Sequence, residues 1–320
     1  MKPLVEVQNL KKYFKTASGG YVHAVDDITM SINKGETMGI VGESGCGKST
    51  LGRTVIHLQP STGGSIIFDD QDITNPTVKE MKQLRSKMQI IFQDPFSSLN
   101  PRMTVEETIK EPLILAKRLR REELEHETER LMDMVGIARR YRTSYPHELD
   151  GGRRQRIGIA RCLSLNPQFI VCDEPVSALD VSIQAQILNL LMDIQEEHGL
   201  TYLFITHNMS VVRHISDHIC VMYLGQIVET SPTKELFTSP LHPYTKALLS
   251  AIPTTDILHP KERIMLKGEI TSPIDPKPGC RFAARCEYAC EACQQPQRLD
   301  ELLPKHYVAC CRAGELSHLQ

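Results

Sequence analysis

The octapeptide GESGCGKS at residues 42–49, called here the P-loop, constrains the fold of this 320-residue chain more than any other feature. It follows a short apolar run, MGIV, and precedes a segment with helical spacing, STLGRTVIHL. A glycine-rich turn between a strand and a helix points backbone N–H groups inward, and the helix adds its positive end. The pattern G-x-x-x-x-G-K-[ST] in that context predicts a loop that binds phosphates.

The P-loop divides its contacts between backbone and side chains. Lys48 is expected to reach the β- and γ-phosphates of a nucleotide, and Ser49 is expected to bind Mg²⁺. We expect the whole segment and the residue after it to contribute to the phosphate site: Gly42, Glu43, Ser44, Gly45, Cys46, Gly47, Lys48, Ser49 and Thr50.

Strand-like and helix-like patterns alternate along the chain. Residues 3–9 and 21–33 alternate apolar and polar side chains, which indicates antiparallel strands. Later apolar runs, such as FIVCD and YLFIT, are typical of buried strands and are separated by helical patterns. This order predicts an α/β core with a parallel sheet. The mostly helical, charged block at 104–163 indicates an insertion into that core, and the proline-rich TSPIDPKPGC marks a linker into a small tail.

Four polar residues follow predicted buried strands. Asp173 ends FIVCD, where P-loop proteins usually contact Mg²⁺, and the adjacent Glu174 can polarise a water for attack on the γ-phosphate. Gln93 ends QIIFQ, and His207 ends TYLFITH. Because the carboxyl ends of parallel strands face one crevice, all four residues are expected at the nucleotide site.

Charge and hydropathy exclude some classes of protein. The net charge is −2, so non-specific binding to nucleic acid is not expected. No apolar run approaches the roughly 18 residues of a membrane span, and the start MKPLVEVQNL lacks the apolar region of a signal peptide. If the protein works at a membrane, another chain is expected to span it.

The ten cysteines fall into two groups. Four are scattered through apolar or loop contexts and are expected to be small core residues. The other six crowd into the C-terminal tail: Cys280, Cys286, Cys290, Cys293, Cys310 and Cys311. In a chain without a signal peptide this clustering favours a metal site over disulfides, with reduced free thiols as the alternative.

Together the ordered motifs resemble an ABC-type nucleotide-binding subunit over about residues 3–255. The P-loop corresponds to Walker A, and FIVCDEP corresponds to Walker B with its catalytic glutamate. The Q-loop, signature, D-loop and H-loop correspond to IIFQDP, LDGGR (149–153), SALD (177–180) and Thr206-His207. Phe14 is similar to the aromatic residue that stacks on adenine, with Tyr13 as the alternative.

This resemblance implies ATP and Mg²⁺ as cofactors and assigns the motif residues to three roles. The catalytic residues would be Glu174, His207 and Gln93. The Mg²⁺ ligands would be Ser49, Gln93 and Asp173. Besides the P-loop, the ATP contacts would be Phe14, Asp150, Gly151, Gly152, Arg153 and Asp180.

The resemblance also implies a fold. We expect a P-loop NTPase of the ABC type at residues 1–255, with a RecA-like core, an antiparallel β subdomain and an inserted α-helical subdomain at about 96–165. Residues 256–320 would form a small cysteine-rich extension.

Longer segments narrow the resemblance to the oligopeptide/dipeptide importer subfamily. They are GESGCGKSTLGR, FQDPFSSLNPRMTV, CDEPVSALDVSIQAQILNLL and SPLHPYTKALLSAIP, and STLGR and SLNPRMTV resemble its second, F-type ATPase. The subfamily implies a bacterial importer with a second, different ATPase, two membrane permeases and, indirectly, an extracytoplasmic binding protein. The chain would be a peripheral protein on the cytoplasmic face of the membrane. Family members also carry nickel or metallophores, so a nickel or metallophore importer is the alternative.

The tail resembles the cysteine motif of the same subfamily. Mapped residue by residue, Cys280, Cys286, Cys293 and Cys310 fall on the positions of its iron–sulfur ligands. Four thiolates suit a [4Fe–4S] cluster or structural zinc. Cys290 and Cys311 are additional, and Cys311 is an alternative ligand to its neighbour.

The signature segment LDGGR departs from the family pattern LSGGQ, because Asp150 replaces the serine and Arg153 the glutamine. Asp is a favourable N-cap, which stabilises a helix by about 1 kcal/mol. In ABC dimers this segment closes over the partner's ATP, where a carboxylate about 4 Å from one phosphate charge would cost roughly 4 kcal/mol. Arg153 lies three residues on, within reach of Asp150 or the phosphate. We expect either weakened hydrolysis at this composite site or closure through Arg153.

Two other functional classes compete with an importer ATPase. A soluble ABC ATPase of DNA repair or translation would need a coiled-coil insertion or a second cassette, and the sequence has neither. A non-catalytic, nucleotide-dependent gate is suggested by Asp150 alone.

Overall fold

The computed structural model describes residues 2–116, 120–253, 263–268 and 271–316. The chain divides into two compact units. The outer unit comprises Met1–Asn75 and Phe204–Gln320, and the middle unit comprises Pro76–Leu203. The predicted boundary at 255/256 lies outside the described residues and stays a prediction.

The N-terminal part of the outer unit is an antiparallel sheet followed by the P-loop. Its elements are β1 (Pro3–Lys15), β2 (Tyr21–Asn33), β3 (Thr37–Val41), α1 (Lys48–Val55), β4 (Gly63–Phe68) and β5 (Gln71–Asp72). Four strands pair in the order β2-β1-β4-β5 and confirm the predicted strands at 3–9 and 21–33. All five residues of β3 are buried, as its uninterrupted apolar sequence predicts.

The middle unit is mainly helical. Its elements are α2 (Val78–Lys87), β6 (Met88–Ile91), α3 (Pro95–Ser98), α4 (Val105–Ala116), α5 (Arg121–Met134), α6 (Gly151–Leu163), β7 (Phe169–Asp173) and α7 (Val181–His198). Strands β6 and β7 pair in parallel, so their carboxyl ends point the same way. The helices between them confirm the expected helical insertion.

The chain then returns to the outer unit through β8 (Thr201–Ile205). The remaining elements are α8 (Met209–Ile215), β9 (His218–Tyr223), β10 (Gln226–Pro232), α9 (Thr233–Thr238), α10 (Pro243–Ser250), β11 (Asp300–Leu303), β12 (His306–Val308) and α11 (Ala313–Leu316). Strand β9 pairs in parallel with β3, and β9 and β10 form an antiparallel hairpin.

The cysteine-rich tail packs into the outer unit. Strand β12 pairs with both β10 and β11, which extends the hairpin into a larger sheet. Phe282 is 1% exposed and lies against Tyr223 and Tyr244, with ring centroids 5.3 and 5.4 Å away. His306 of the tail is also buried, and its Nε2 lies 2.7 Å from a carboxylate oxygen of the buried Glu229. The tail therefore shares the core of this unit.

Within the described ranges, no helix is both long enough and apolar enough to cross a membrane.

Candidate functional site

The P-loop turns directly into α1. Lys48 is the first residue of that helix and is 4% exposed. Its Nζ donates hydrogen bonds to the carbonyl oxygens of Gly42 and Glu43, both at 2.9 Å. The ammonium group therefore lies inside the curve of the loop, where it can bind phosphate oxygens.

Neighbouring backbone holds the P-loop closely. Gly47 has a φ of 105°, and a Cβ there would lie 1.9 Å from the carbonyl oxygen of Ala24. The N–H of Gly225 donates to the carbonyl of Cys46 at 2.8 Å. A side chain at position 47 would thus be strained by its backbone angle and would collide with β2, which explains the glycine.

Two adjacent aromatic residues near the end of β1 have different surroundings. Tyr13 stacks on His23 with centroids 4.0 Å apart, and its hydroxyl donates to Asp26. The Phe14 ring is 38% exposed, with Nζ of Lys12 at 4.9 Å from its centroid. Each ring therefore has one face in contact with a neighbour, and the Phe14 ring is the more exposed of the two.

His207 also belongs to the outer unit and lies two residues beyond β8. The preceding residue, Thr206, donates its N–H to the carbonyl of Ile40 in β3 at 3.1 Å. This hydrogen bond joins the segment before His207 to β3, the strand that precedes the P-loop. The side chain of His207 is exposed.

The predicted acid residues lie at the end of β7 in the middle unit. Asp173 is completely buried, and Glu174 follows it with a φ of 49°. This left-handed conformation costs a non-glycine residue about 1 kcal/mol or more and is concentrated at functional sites. Nε2 of Gln93, which lies two residues beyond β6, donates to Oε2 of Glu174 at 3.0 Å. The structure therefore brings together Gln93 and Glu174, as predicted.

Asp150 caps α6, as the sequence predicts. Its Oδ1 accepts the N–H of Arg153 at 2.8 Å, and its Oδ2 accepts a hydrogen bond from the Arg153 guanidinium. That guanidinium also lies 4.8 Å from the ring centroid of Tyr141. The two residues that depart from the family pattern are therefore paired with each other. Both side chains remain partly exposed, so the pair is accessible to a ligand.

Small residues let the signature segment approach the D-loop within the middle unit. A Cβ on Gly151 would lie 3.1 Å from Leu179, and a Cβ on Gly152 would lie 2.8 Å from Ile183. Asp180 caps α7 by accepting the N–H of Ile183 at 3.0 Å. The predicted signature and D-loop residues are therefore adjacent through Gly151 and Leu179, and Gly152 lets the same segment pack closely against Ile183 of α7.

The tail brings the cysteines together in two overlapping sets. One small cavity is lined by all four expected ligands, Cys280, Cys286, Cys293 and Cys310. Burial raises the pKa of the Cys280 thiol to about 11.

The second set contains the two additional cysteines. The sulfur atoms of Cys290, Cys293 and Cys311 lie within 4.8 Å of one another. The sulfurs of Cys293 and Cys311 are 3.8 Å apart. Cys293 belongs to both sets, and among the described residues the sulfur spacing suited to a metal ion is found in the three-cysteine set. Thiolate donors suit iron–sulfur or zinc.

Sequence reasoning missed two arginines of the tail that contact the P-loop and β2. Arg285 pairs with Glu43 in the P-loop, and Arg281 pairs with Asp26. The available signal was their spacing of four residues within CRFAARC, between two expected metal ligands. Charged residues in a cysteine-rich tail are otherwise expected to be solvated.

Comparisons with known protein families match two regions of the chain. A family described as ABC transporter matches residues 25–177. A family described as oligopeptide/dipeptide transporter, C-terminal region, matches residues 228–293. The second match includes three of the four expected metal ligands.

Similar proteins cover nearly the whole chain. The oligopeptide transport ATP-binding protein AppF of Bacillus subtilis is 51% identical over 317 residues, which is 96% of each chain. The dipeptide transport ATP-binding protein DppF of Escherichia coli is 45% identical over 301 residues, covering 92% of this chain and 90% of that one. A solved dimeric structure of the ATP-binding cassette MJ0796, bound to ADP and Pi, is 29% identical. It has a TM-score of 0.66 and covers 72% of this chain and 98% of that one.

Proposed function

This chain belongs to the ATP-binding proteins of the oligopeptide/dipeptide ABC transporter family, whose ATPase activity is coupled to transport, and we propose that it energises a bacterial importer of di- or oligopeptides. In that role it pairs with a second, different ATPase on two membrane permeases. It is held on the cytoplasmic face of the membrane, and an extracytoplasmic binding protein delivers the solute.

The hydrogen bond between Gln93 and Glu174 is the main observation that supports a catalytic role for this chain. Glu174 directly follows the buried Asp173 and has a left-handed backbone conformation. Gln93 donates a hydrogen bond to the Glu174 carboxylate. In the proposed mechanism Glu174 accepts a proton from the attacking water, and Gln93 orients the Glu174 carboxylate and that water. Asp173, Gln93 and Ser49 would hold Mg²⁺, which neutralises charge on the phosphates.

The P-loop supplies the phosphate contacts in this mechanism. Lys48 already lies inside the loop, and the positive end of α1 faces the same side. His207 would contact the γ-phosphate from the end of β8. Phe14 stacks on adenine, a role supported by its more exposed ring and by the contacts that hold Tyr13 to His23 and Asp26.

The two composite ATP sites of the heterodimer differ in this proposal. This chain's P-loop, together with the partner's signature, forms a fully competent site. The site that uses LDGGR closes through the Asp150–Arg153 pair, whose guanidinium offsets the carboxylate. Hydrolysis at this site is weaker, because the guanidinium does not remove all of the repulsion between the Asp150 carboxylate and an arriving γ-phosphate.

A non-catalytic gate is the second candidate, and one observation favours it. Asp150 introduces a carboxylate beside the amides that would bind the γ-phosphate, and it accepts the amide of Arg153 itself. A gate subunit would bind ATP and close without hydrolysing it at its own P-loop. The intact Glu174 favours the catalytic role.

The cysteine tail would hold a metal centre with a structural or docking role. The four thiols of Cys280, Cys286, Cys293 and Cys310 line one cavity, and four thiolates are a ligand set that suits a [4Fe–4S] cluster, with zinc as the alternative. When bound, such a centre supplies four strong bonds that tie the tail together. The residues between these cysteines then keep their contacts with the outer unit.

The test of this function is solute-dependent ATP turnover in the assembled transporter. We would co-express the chain with the ATPase and permeases encoded beside it, reconstitute the complex with its binding protein, and compare peptides with nickel chelates. Stimulation by di- or oligopeptides is expected. Stimulation by nickel chelates alone would assign the complex to the metallophore alternative.

A further inference from the structure

The segment CRFAARC at 280–286 carries two arginines that reach away from the cysteines. Arg281 and Arg285 lie four positions apart in sequence, and their side chains are only 7% and 9% exposed. Phe282, between them, is anchored in the core of the outer unit. Both guanidinium groups are therefore held in fixed positions.

Arg285 contacts the P-loop with both arms of its guanidinium. Nη1 donates to Oε2 of Glu43 at 2.8 Å, and Nη2 donates to Oε1 of Glu43 at 3.2 Å. Nη1 also lies 3.5 Å from the hydroxyl of Tyr223. Such a two-armed arginine–carboxylate contact fixes direction as well as distance. The bond to Glu43 also raises the pKa of the Arg285 guanidinium further above its usual value.

Glu43 is held from three directions. Besides Arg285, the hydroxyl of Tyr244 accepts the Glu43 N–H at 2.9 Å, and Lys48 donates to the Glu43 carbonyl at 2.9 Å. The second residue of the P-loop thus links the cysteine-rich tail to the lysine that is expected to bind phosphate. Its side chain, its N–H and its carbonyl are all engaged.

Arg281 makes a parallel contact beside the aromatic residues of β1. Its guanidinium donates to Asp26 and to the carbonyl of Leu224. Asp26 also accepts the hydroxyl of Tyr13, the neighbour of Phe14. Burial alone would raise the pKa of the Asp26 carboxyl, but its hydrogen bonds and the charge of Arg281 have the larger effect. The pKa of Asp26 is therefore lowered below its usual value. Asp26 is therefore a charged anchor.

We propose that Arg285 is a positioning residue for ATP, which acts from the tail by fixing Glu43 and neutralising its carboxylate. The proposal rests on the assignment of the P-loop as the ATP site. Without Arg285, the loop that cradles a polyanionic triphosphate would carry an unpaired negative charge. Opposite charge at contact distance removes that repulsion, and the rigid tail holds the loop in one conformation.

Four variants of the full chain test this proposal. Arg285→Gln leaves Glu43 unpaired, Glu43→Gln removes the carboxylate, and the double variant removes both charges. Lys267→Gln is the matched control, because Lys267 forms an exposed ion pair with Glu287 in the same tail, at 3.0 Å. The dissociation constant of a fluorescent ATP analogue is measured for each chain. KM and kcat for ATP are measured in the assembled transporter.

We expect Arg285→Gln to raise the dissociation constant and KM about tenfold, with kcat little changed, because Glu174 is not altered. The double variant should recover more than half of the loss on a logarithmic scale, because no charge is left unpaired. Lys267→Gln should match the wild type. A general loss of folding would lower kcat in proportion to the active fraction and leave KM unchanged.

Two results would overturn the proposal. One is Arg285→Gln binding the analogue as tightly as Lys267→Gln; the other is a double variant whose loss is the sum of the single losses. If Arg285→Gln fails to fold, Arg285→Lys replaces it, with an expected loss of about threefold, and equality with the control again contradicts the proposal. Failure of the wild type itself to bind nucleotide would instead refute the ATP assignment.

Discussion

Gln93 and Glu174 are joined by a hydrogen bond of 3.0 Å between an amide nitrogen and a carboxylate oxygen. They follow the paired parallel strands β6 and β7, whose carboxyl ends point in the same direction. Glu174 is also held at a positive φ. Two segments 81 residues apart in sequence thus converge on the carboxylate that we propose accepts the proton of the attacking water.

Asp150→Ser restores the family's serine and is expected to raise ATP turnover of the assembled transporter several-fold, if the carboxylate limits the composite site. Arg153→Ala leaves Asp150 without its partner and is expected to lower turnover, because the carboxylate then faces the phosphate alone. Steady-state hydrolysis by the complete complex measures both. No change for Asp150→Ser combined with a loss for Arg153→Ala would indicate a rewired but fully working site.

Phe14→Ala should weaken ATP binding about tenfold, because stacking of a base on an aromatic ring contributes roughly 1–3 kcal/mol. Tyr13→Ala should weaken it less, because the Tyr13 ring stacks on His23. Titration with a fluorescent ATP analogue gives both constants. The reverse order of effects would assign the adenine contact to Tyr13.

Serine variants of Cys280, Cys286, Cys293 and Cys310 are each expected to lower the metal content of the purified protein. Anaerobic preparation and elemental analysis should find about four iron atoms per chain if the centre is [4Fe–4S], or about one zinc. Cys290→Ser is the matched control and should retain metal. Metal loss in Cys290→Ser and Cys311→Ser, but not in Cys310→Ser, would favour the three-cysteine set instead.

Acid should destabilise the outer unit through His242. Burial lowers the pKa of His242 to about 4, and its Nδ1 accepts the N–H of Tyr244 at 3.1 Å, which requires the neutral ring. An unfolded histidine titrates near 6.5, so the unfolded chain binds the proton first as the pH falls. The free energy of unfolding therefore declines between pH 6.5 and 4, by about 1 kcal/mol at pH 5.5.

Urea unfolding at pH 7.5 and pH 5.5 measures this effect. The nearby Glu229 carboxylate acts in the opposite direction but is outweighed by burial. His242→Asn keeps a side-chain oxygen that can accept the Tyr244 N–H, and it should remove this part of the pH dependence. An unchanged difference between the two pH values in His242→Asn would exclude His242 as its source.

Local sequence patterns predicted the P-loop, the buried strands and the cap of α6, because each depends on neighbours within a few residues. Asp150 shows this clearly: a short polar side chain three residues before an unpaired N–H is sufficient to cap a helix. The pairing of Asp150 with Arg153 was predictable for the same reason.

Contacts between distant segments were not predictable in this way. Arg285 and Glu43 are separated by 242 residues, and nothing in CRFAARC indicates which carboxylate will lie opposite it. The choice between Phe14 and Tyr13 likewise depends on Asp26 and His23, which pair with Tyr13 across two strands. Such relationships follow from the packing of the tail and of β2 rather than from local propensity.

The most direct test of the central claim is ATP turnover and peptide uptake by the assembled transporter carrying Glu174→Gln. If Glu174 accepts the proton from the attacking water, this nearly isosteric change should preserve ATP binding and lower peptide-stimulated turnover and uptake at least about a hundredfold. Turnover and uptake equal to those of the wild type would contradict a catalytic role for this chain and support the nucleotide-dependent gate.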